Sequence, residues 1–234
     1  MIGVKDFIKE FKEPVNWAEK AEKQAKKNVG KKATKEEVQE EIDKITAEYD
    51  KKRVKGETYQ AKLCQKEVDS NPNAILGTYK AYDSSNVPET DSCKLDPNKV
   101  YLEKFLMSNK YEILGYADRI DTKGNIINIT DNKVVEKIYR SSSFKTETGF
   151  KVESKKMLPP LQHLDDTNYN DFVLQLSLYM YLAWENNKNM KIGNLYIRHI
   201  VMNDLDKVTS DTTIPVPYLK DEVKLMLKYK LENK

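Results

Sequence analysis

The sequence predicts an α/β fold in which a mixed central sheet is flanked by helices and preceded by a helical arm. Three observations predict it: a long amphipathic N-terminal region, two central strand-like segments joined by a turn, and a later apolar segment of helical length. A helix that is apolar on nearly every side is typically buried against another layer. The 234 residues suffice for one core with an extension. We therefore expect a helical arm over residues 1–52 and a core over residues 53–234.

The N-terminal region, from Lys5 to about Glu67, is predicted to be largely helical. Its apolar residues recur at helical spacing with charges between them: Val38, Ile42, Ile45 and Tyr49. A lysine-rich segment precedes them: Lys20, Lys23, Lys26, Lys27, Lys31, Lys32 and Lys35. Such a segment could follow a phosphate backbone, or it could be an ordinary solvated helix face.

The middle of the chain predicts a β-hairpin. Residues 70–100 are rich in turn formers around one short apolar stretch, Ala74 to Tyr79, and are expected to form loops around a strand. Tyr111 to Ile120 is rich in strand formers, Asp121 to Gly124 is typical of a turn, and Asn125 to Thr130 predicts the returning strand.

The C-terminal third predicts a buried helix, a strand and a closing helix. Asp171 to Trp184 is apolar almost all round, and Leu195 to Met202 has the composition of a strand. The tail from Leu219 places four apolar residues on one helical face: Val223, Met226, Leu227 and Leu231.

Composition excludes several function classes. No apolar run approaches the roughly 20 residues needed to cross a bilayer, so we expect no membrane partner and a cytoplasmic location. Cys64 and Cys93 are too few for a disulfide framework or a four-thiolate metal site. Together with His163 and His199, they are expected to serve packing or surface roles.

Two acids and a lysine in the hairpin are candidates for chemistry on phosphodiesters. Asp131 and Lys133 follow Ile127 and Ile129 at a period of two, which puts all four on one side of the strand. Asp118 lies on the other predicted strand. Two carboxylates can hold Mg²⁺ or Mn²⁺, whose bound water supplies hydroxide, and a lysine can stabilise developing negative charge. The alternative is a set of ordinary charges at strand ends.

A regular hairpin centred on the predicted turn poses a difficulty for this arrangement. It would place Asp118 opposite Ile127, four residues short of Asp131. At about 3.3 Å per residue, the gap along the strand is about 13 Å. A twist or bulge must close it if both acids share one cation.

The predicted buried helix carries a polar pair. Gln175 and Tyr179 are four residues apart and therefore share a face. A buried amide without partners costs about 1–3 kcal/mol, so Gln175 is expected either to face a polar site, where it would orient Lys133, a water or a phosphate, or to be satisfied by neighbouring backbone.

These motifs together resemble the PD-(D/E)xK nuclease superfamily, and within it the RecB-like exonucleases. The pattern G-x-x-D reads Gly115 to Asp118, D-x-K reads Asp131 to Lys133, and Q-x-x-x-Y reads Gln175 to Tyr179. The stretch from Leu158 to Leu195 is particularly similar to phage-encoded members, a resemblance that implies the host cytoplasm as the location. The resemblance covers roughly residues 53–202.

The resemblance implies a restriction-endonuclease-like core and a DNA nuclease that uses Mg²⁺ or Mn²⁺. Asp118 and Asp131 would be metal ligands, with the carbonyl of Asn132 as a possible third, and Lys133 would be the catalytic lysine. Gln175 and Tyr179 would position the lysine or the DNA backbone. Exonuclease action is the commoner mode in the family.

One departure concerns the metal site. Many RecB-like members have a histidine ligand where this chain has Gln60, which puts a second metal position in doubt; Glu57 or Glu67 could contribute instead. The alternative function is a catalytically inactive nucleic-acid-binding or scaffold protein of the same fold. An RNA-directed nuclease is also compatible with the motifs.

Overall fold

A computed structural model describes residues 1–14, 17–30, 33–77, 93–141, 155–203 and 207–233, without the side chain of Trp17. The chain divides into two compact units. The first comprises Met1–Glu13 and Lys66–Lys234, and the second comprises Pro14–Gln65. Met1–Glu13 belongs to the first unit because the first turns of the chain bury Val4, Phe7 and Phe11 in the core of that unit.

The second unit is helical, as the apolar spacing predicts. Helix α2 spans Trp17–Val29, and helix α3 spans Lys35–Ser70, whose last residues belong to the first unit. Two lysines of the lysine-rich segment form ion pairs with glutamates one helical turn earlier: Lys23 with Glu19, and Lys26 with Glu22. Lys31 and Lys32 lie outside the described residues.

In the described part of the first unit, seven strands form a mixed sheet. Its short N-terminal elements are strand β1 (Ile2–Gly3) and helix α1 (Val4–Lys9). The remaining strands are β2 (Ala74–Leu76), β3 (Val100–Ser108), β4 (Ile113–Lys123), β5 (Ile126–Val134), β6 (Lys191–Met202) and β7 (Val208–Val216). They lie in the order β2-β3-β4-β5-β6-β7, with β1 paired to β4. The α/β class and the mixed sheet are thus confirmed.

Helix α4 (Asn168–Asn186) forms the crossover between the parallel strands β5 and β6. The Thr167 hydroxyl caps it by accepting a hydrogen bond from the Asn170 N–H. Ten of the eleven residues from Val173 to Ala183 are buried, so the predicted buried helix is confirmed. It packs on the sheet, and helices α1 and α5 (Lys220–Glu232) contact it.

The closing helix α5 differs from its prediction at one residue. Val223, Met226 and Leu227 are buried, but Leu231 is 43% exposed. In the third turn it is Tyr229 that packs against the core, with its ring centroid 5.3 Å from that of Phe11, and Leu231 lies outside this buried face.

Three strands were not predicted from the sequence. Strand β7 is an edge strand of mostly threonine, serine and aspartate, so it has little apolar pattern. Strand β1 has only two residues. Strand β3 does not alternate regularly between buried and exposed residues. Tyr101 and Leu106 would lie on opposite faces of a regular strand, yet both belong to the main core, so the inward-facing side changes along the strand. Glu103 lies between them, with the left-handed φ of 51°.

Candidate active site

The hairpin turn lies further along the chain than the sequence predicts. Lys123 pairs with Ile126, so the turn is centred on Gly124 and Asn125 and not on residues 121–124. Gly124 has φ 57°, a conformation that glycine adopts without strain. The strands pair up to Arg119 opposite Thr130. One further residue in this register sets Asp118 against Asp131, which removes the expected 13 Å gap.

Strands β4 and β5 diverge beyond this point. The pairing of β4 with β5 ends at Arg119, and further along β4, Ile113 and Leu114 pair with β1 instead. At the fork, the backbone N–H of Asn132 donates a hydrogen bond of 2.7 Å to Oδ2 of Asp118. The fork therefore holds the Asp118 side chain against the backbone of the D-x-K segment.

The buried side of β5 carries the apolar and charged residues that its period of two predicts. Ile127, Ile129, Asp131 and Lys133 alternate with more exposed neighbours. Asp131 is 1% exposed and Lys133 is 9% exposed. The Lys133 ammonium forms an ion pair with Oδ2 of Asp131 and lies 4.7 Å from the centroid of the Phe172 ring. A fully buried charge pair of this kind needs further polar partners.

Gln175 of α4 supplies those partners. Its Oε1 accepts a hydrogen bond of 2.9 Å from Lys133 Nζ, and its Nε2 lies 3.3 Å from Oδ1 of Asp131 and 3.1 Å from the hydroxyl of Tyr179. The amide is thus satisfied by the polar cluster and not by neighbouring backbone. One side chain bridges the carboxylate, the ammonium and the phenol, which fixes all three relative to α4.

Gly115 is required by the position of Tyr179. A Cβ atom at Gly115 would lie 2.6 Å from Cε1 of Tyr179 and 3.2 Å from Cγ2 of Val4. Both distances are shorter than ordinary van der Waals contact, and Tyr179 is itself 3% exposed and cannot move outward freely. The glycine of the G-x-x-D motif therefore makes room for the tyrosine of the Q-x-x-x-Y motif.

Replacing Gly115 by alanine is expected to destabilise the protein by about 1–3 kcal/mol, the usual cost of overpacking a close-packed core. Urea denaturation followed by circular dichroism measures the loss. Gly3→Ala is a matched control, since a Cβ there would meet Asp6 only at an ordinary 3.4 Å. Equal midpoints for the Gly115→Ala variant and the wild type would contradict the tight packing.

The electrostatics of the site follow from burial and like charge. Burial, and next the charge of Asp131, raise the pKa of Asp118 to about 8, while Lys133 acts in the opposite direction. Burial, followed by the charges of Asp131 and Asp118, raises the pKa of the Tyr179 hydroxyl well above its ordinary value. Two carboxyl groups in this setting resist ionising together unless a cation joins them. Tyr179 therefore stays protonated while its hydroxyl oxygen accepts the hydrogen bond from Gln175 Nε2.

The raised pKa of Asp118 predicts how stability depends on pH without divalent cations. Between the ordinary value of 3.8 and about 8, the folded state keeps a proton that the unfolded state has lost. Stability therefore falls as pH rises through this range and levels off above it. Urea midpoints from pH 5 to 8.5 in EDTA should decline more for the wild type than for Asp118→Asn, and added Mg²⁺ should reduce the decline. Parallel curves for the two proteins in EDTA would contradict this assignment.

Glu103 is an acidic neighbour of the site that the sequence did not single out. In the register of β3 with β4, it falls between the pairs Leu102–Arg119 and Lys104–Ala117, hence across from Asp118. Its charge contributes to raising the pKa of both Asp118 and Tyr179. The signal in the sequence is a charged pair, Glu103 and Lys104, inside a mostly apolar stretch, and it requires that the stretch be assigned as a strand first.

The donor set suits a hard divalent cation held partly by water. Among the residues that the structure describes, no group of three or more His, Cys, Asp or Glu side chains is close enough to hold a metal ion. Asp118 and Asp131 together supply two carboxylates, with mutual repulsion that a cation would relieve. Mg²⁺ commonly binds through one or two carboxylates and keeps several waters. The chemistry of the two acids therefore suits such an ion.

The two glutamates weighed as extra ligands form ion pairs with arginines. Gln60 and Glu57 lie on α3 in the second unit, where Glu57 pairs with Arg53 at 2.9 Å. Glu67 pairs with Arg119 at 3.0 Å. Cys64 and Cys93 are buried and form no disulfide, and the two histidines contact Glu222 and the carbonyl of Val135.

No helix in the described ranges is long and apolar enough to cross a membrane. Comparison of the chain with protein-family models, with curated proteins and with solved structures gives no match.

Proposed function

We propose that this protein is a DNA nuclease of the PD-(D/E)xK type, dependent on Mg²⁺ or Mn²⁺ and acting as an exonuclease of the RecB-like kind. The observation that carries the proposal is the buried network of Asp131, Lys133 and Gln175 beside Asp118. Burying charges is costly, and a protein that needed only a stable core could place apolar residues at these positions at little or no cost. A network of this composition is suited to chemistry on a phosphate.

Each residue has a distinct task in the proposed hydrolysis. Asp118 and Asp131 would hold the cation, which supplies hydroxide by lowering the pKa of its bound water and offsets charge on the phosphate. The Lys133 ammonium, held by Gln175, would stabilise negative charge that develops on the phosphate oxygens. Tyr179, through its hydrogen bond with Gln175, keeps the amide facing the lysine and the carboxylate. Because the network is formed in advance, little reorganisation is needed during the reaction.

The nuclease proposal is tested with end-labelled oligonucleotides. Wild-type protein is incubated with single-stranded DNA, duplex DNA and RNA of one sequence, in Mg²⁺, Mn²⁺ or EDTA, beside an Asp131→Ala control. We expect DNA products only with a divalent cation and only from the wild type. Shortening from one end indicates an exonuclease, and cleavage of RNA alone would redirect the assignment. Binding of DNA by both proteins without cleavage would instead support the inactive binding or scaffold protein.

A further inference from the structure

An exposed aromatic residue follows the strand that carries Asp131 and Lys133. After β5 ends, Ile138 packs against the core, and the next side chain, Tyr139, is 58% exposed. The guanidinium of the following residue, Arg140, lies 4.7 Å from the centroid of the Tyr169 ring. The solvent-exposed ring of Tyr139 thus precedes, in the chain, an arginine whose guanidinium is stacked on the ring of Tyr169.

The backbone around Tyr139 is fixed to the start of α4. The Tyr139 N–H donates a hydrogen bond of 2.7 Å to Oδ1 of Asn168, whose Nδ2 donates to the carbonyl of Lys137 at 2.9 Å. The Tyr169 N–H in turn lies 3.4 Å from the carbonyl of Tyr139. A ring held on a fixed backbone loses little conformational entropy when a partner stacks on it.

The same stretch of α4 reaches the candidate active site. Phe172, one turn beyond Asn168, covers the Lys133 ammonium, and Gln175 follows on the next turn. At 1.5 Å per residue, Asn168 and Phe172 are about 6 Å apart along the helix axis. Tyr139 is therefore anchored about one helical turn from the residue that contacts the catalytic lysine.

We propose that Tyr139, with the Arg140–Tyr169 pair beside it, is a stacking site for an unpaired nucleobase of single-stranded DNA. Proteins that hold single strands combine cations that follow the backbone with rings on which bases stack. Bases inside a duplex already stack on one another and offer no free face. The inference rests on the proposed function. The stacking site would hold the single-stranded end of a DNA substrate, and that end would then reach Asp131 and Lys133.

The test compares single-stranded and duplex binding in Ca²⁺, a cation that we expect not to support cleavage. Fluorescein-labelled oligothymidine and a duplex of equal length are titrated by anisotropy. Tyr139→Ala should weaken binding of the single strand about tenfold and of the duplex less than about twofold. Tyr139→Phe, which keeps the ring, should bind like the wild type. Tyr49→Ala, at a tyrosine of α3 that is 56% exposed, is the matched control.

Equal losses on both DNAs, or no loss with Tyr139→Ala, would overturn the stacking site. If the wild type cleaves DNA and Tyr139→Ala binds it as well as the wild type does, the stacking site is rejected and the nuclease proposal stands. If single-strand binding depends on the ring at position 139 but the wild type does not cleave DNA in Mg²⁺ or Mn²⁺, the stacking site stands and the nuclease proposal is rejected.

A spectroscopic variant reports on stacking directly. Tyr139→Trp adds one indole to the native Trp17 and Trp184. Its fluorescence should be quenched by oligothymidine to a greater extent than that of the wild type, because a base would lie against the new ring. Equal fractional quenching in the two proteins would show that no base contacts position 139.

Discussion

Replacing Asp131 by asparagine is expected to lower the rate of DNA cleavage by about three orders of magnitude, equivalent to about 4 kcal/mol of transition-state stabilisation. The substitution keeps the shape of a residue that is 1% exposed but removes the charge that faces Lys133. It also removes one of the two carboxylates available to a cation. Single-turnover cleavage of end-labelled DNA in Mg²⁺, with protein in excess, measures the rate of the chemical step.

A matched control for this substitution lies on the same hairpin. Asp121 also belongs to an acid-x-lysine triplet, yet its carboxylate is held by Arg119 through two contacts of 2.8 Å. Asp121→Asn should retain activity within about twofold. Circular dichroism and DNA binding establish that both variants are folded. Similar rates for Asp131→Asn and the wild type would remove Asp131 from the chemistry and with it the proposed mechanism.

The sequence was sufficient to predict the parts of the site that depend on local periodicity. The period of two placed Asp131 and Lys133 on the buried side of one strand, and helical spacing placed Gln175 and Tyr179 on one face. The polar setting of Gln175 followed from the cost of burying an amide. To predict these features, it is enough to know whether a segment is a strand or a helix and which of its residues share a face.

The features that the sequence did not predict depend on contacts between distant segments. The displaced hairpin turn, centred on Gly124 and Asn125 and not on residues 121–124, decides which residue faces Asp131. Strand β3 escaped prediction because its inward side changes at Glu103, which breaks the alternation. Gly115 makes room for a ring on α4, a requirement that becomes visible only once helix and sheet are packed.

The loss of Lys133 is expected to affect stability as well as chemistry. Lys133→Met keeps a long side chain against Phe172 but leaves the carboxylate of Asp131 buried without its cation. Breaking a buried ion pair in this way costs about 3–5 kcal/mol. Urea denaturation at pH 8 in EDTA measures the loss, and Lys123→Met, at an exposed position of the same hairpin, should change stability by less than about 0.5 kcal/mol.

The double variant Asp131→Asn with Lys133→Met separates the stability of the network from its function. It leaves no unpaired charge at the two positions, so it should regain most of the stability that Lys133→Met loses, because an uncharged pair of similar volume costs little in a buried site. It should nevertheless cleave DNA no faster than Asp131→Asn alone. Regained stability without activity would mean that the buried pair is kept for chemistry and not for folding. A double variant as unstable as Lys133→Met would instead make the pair a structural requirement of the sheet, and the central argument for a nuclease would fail.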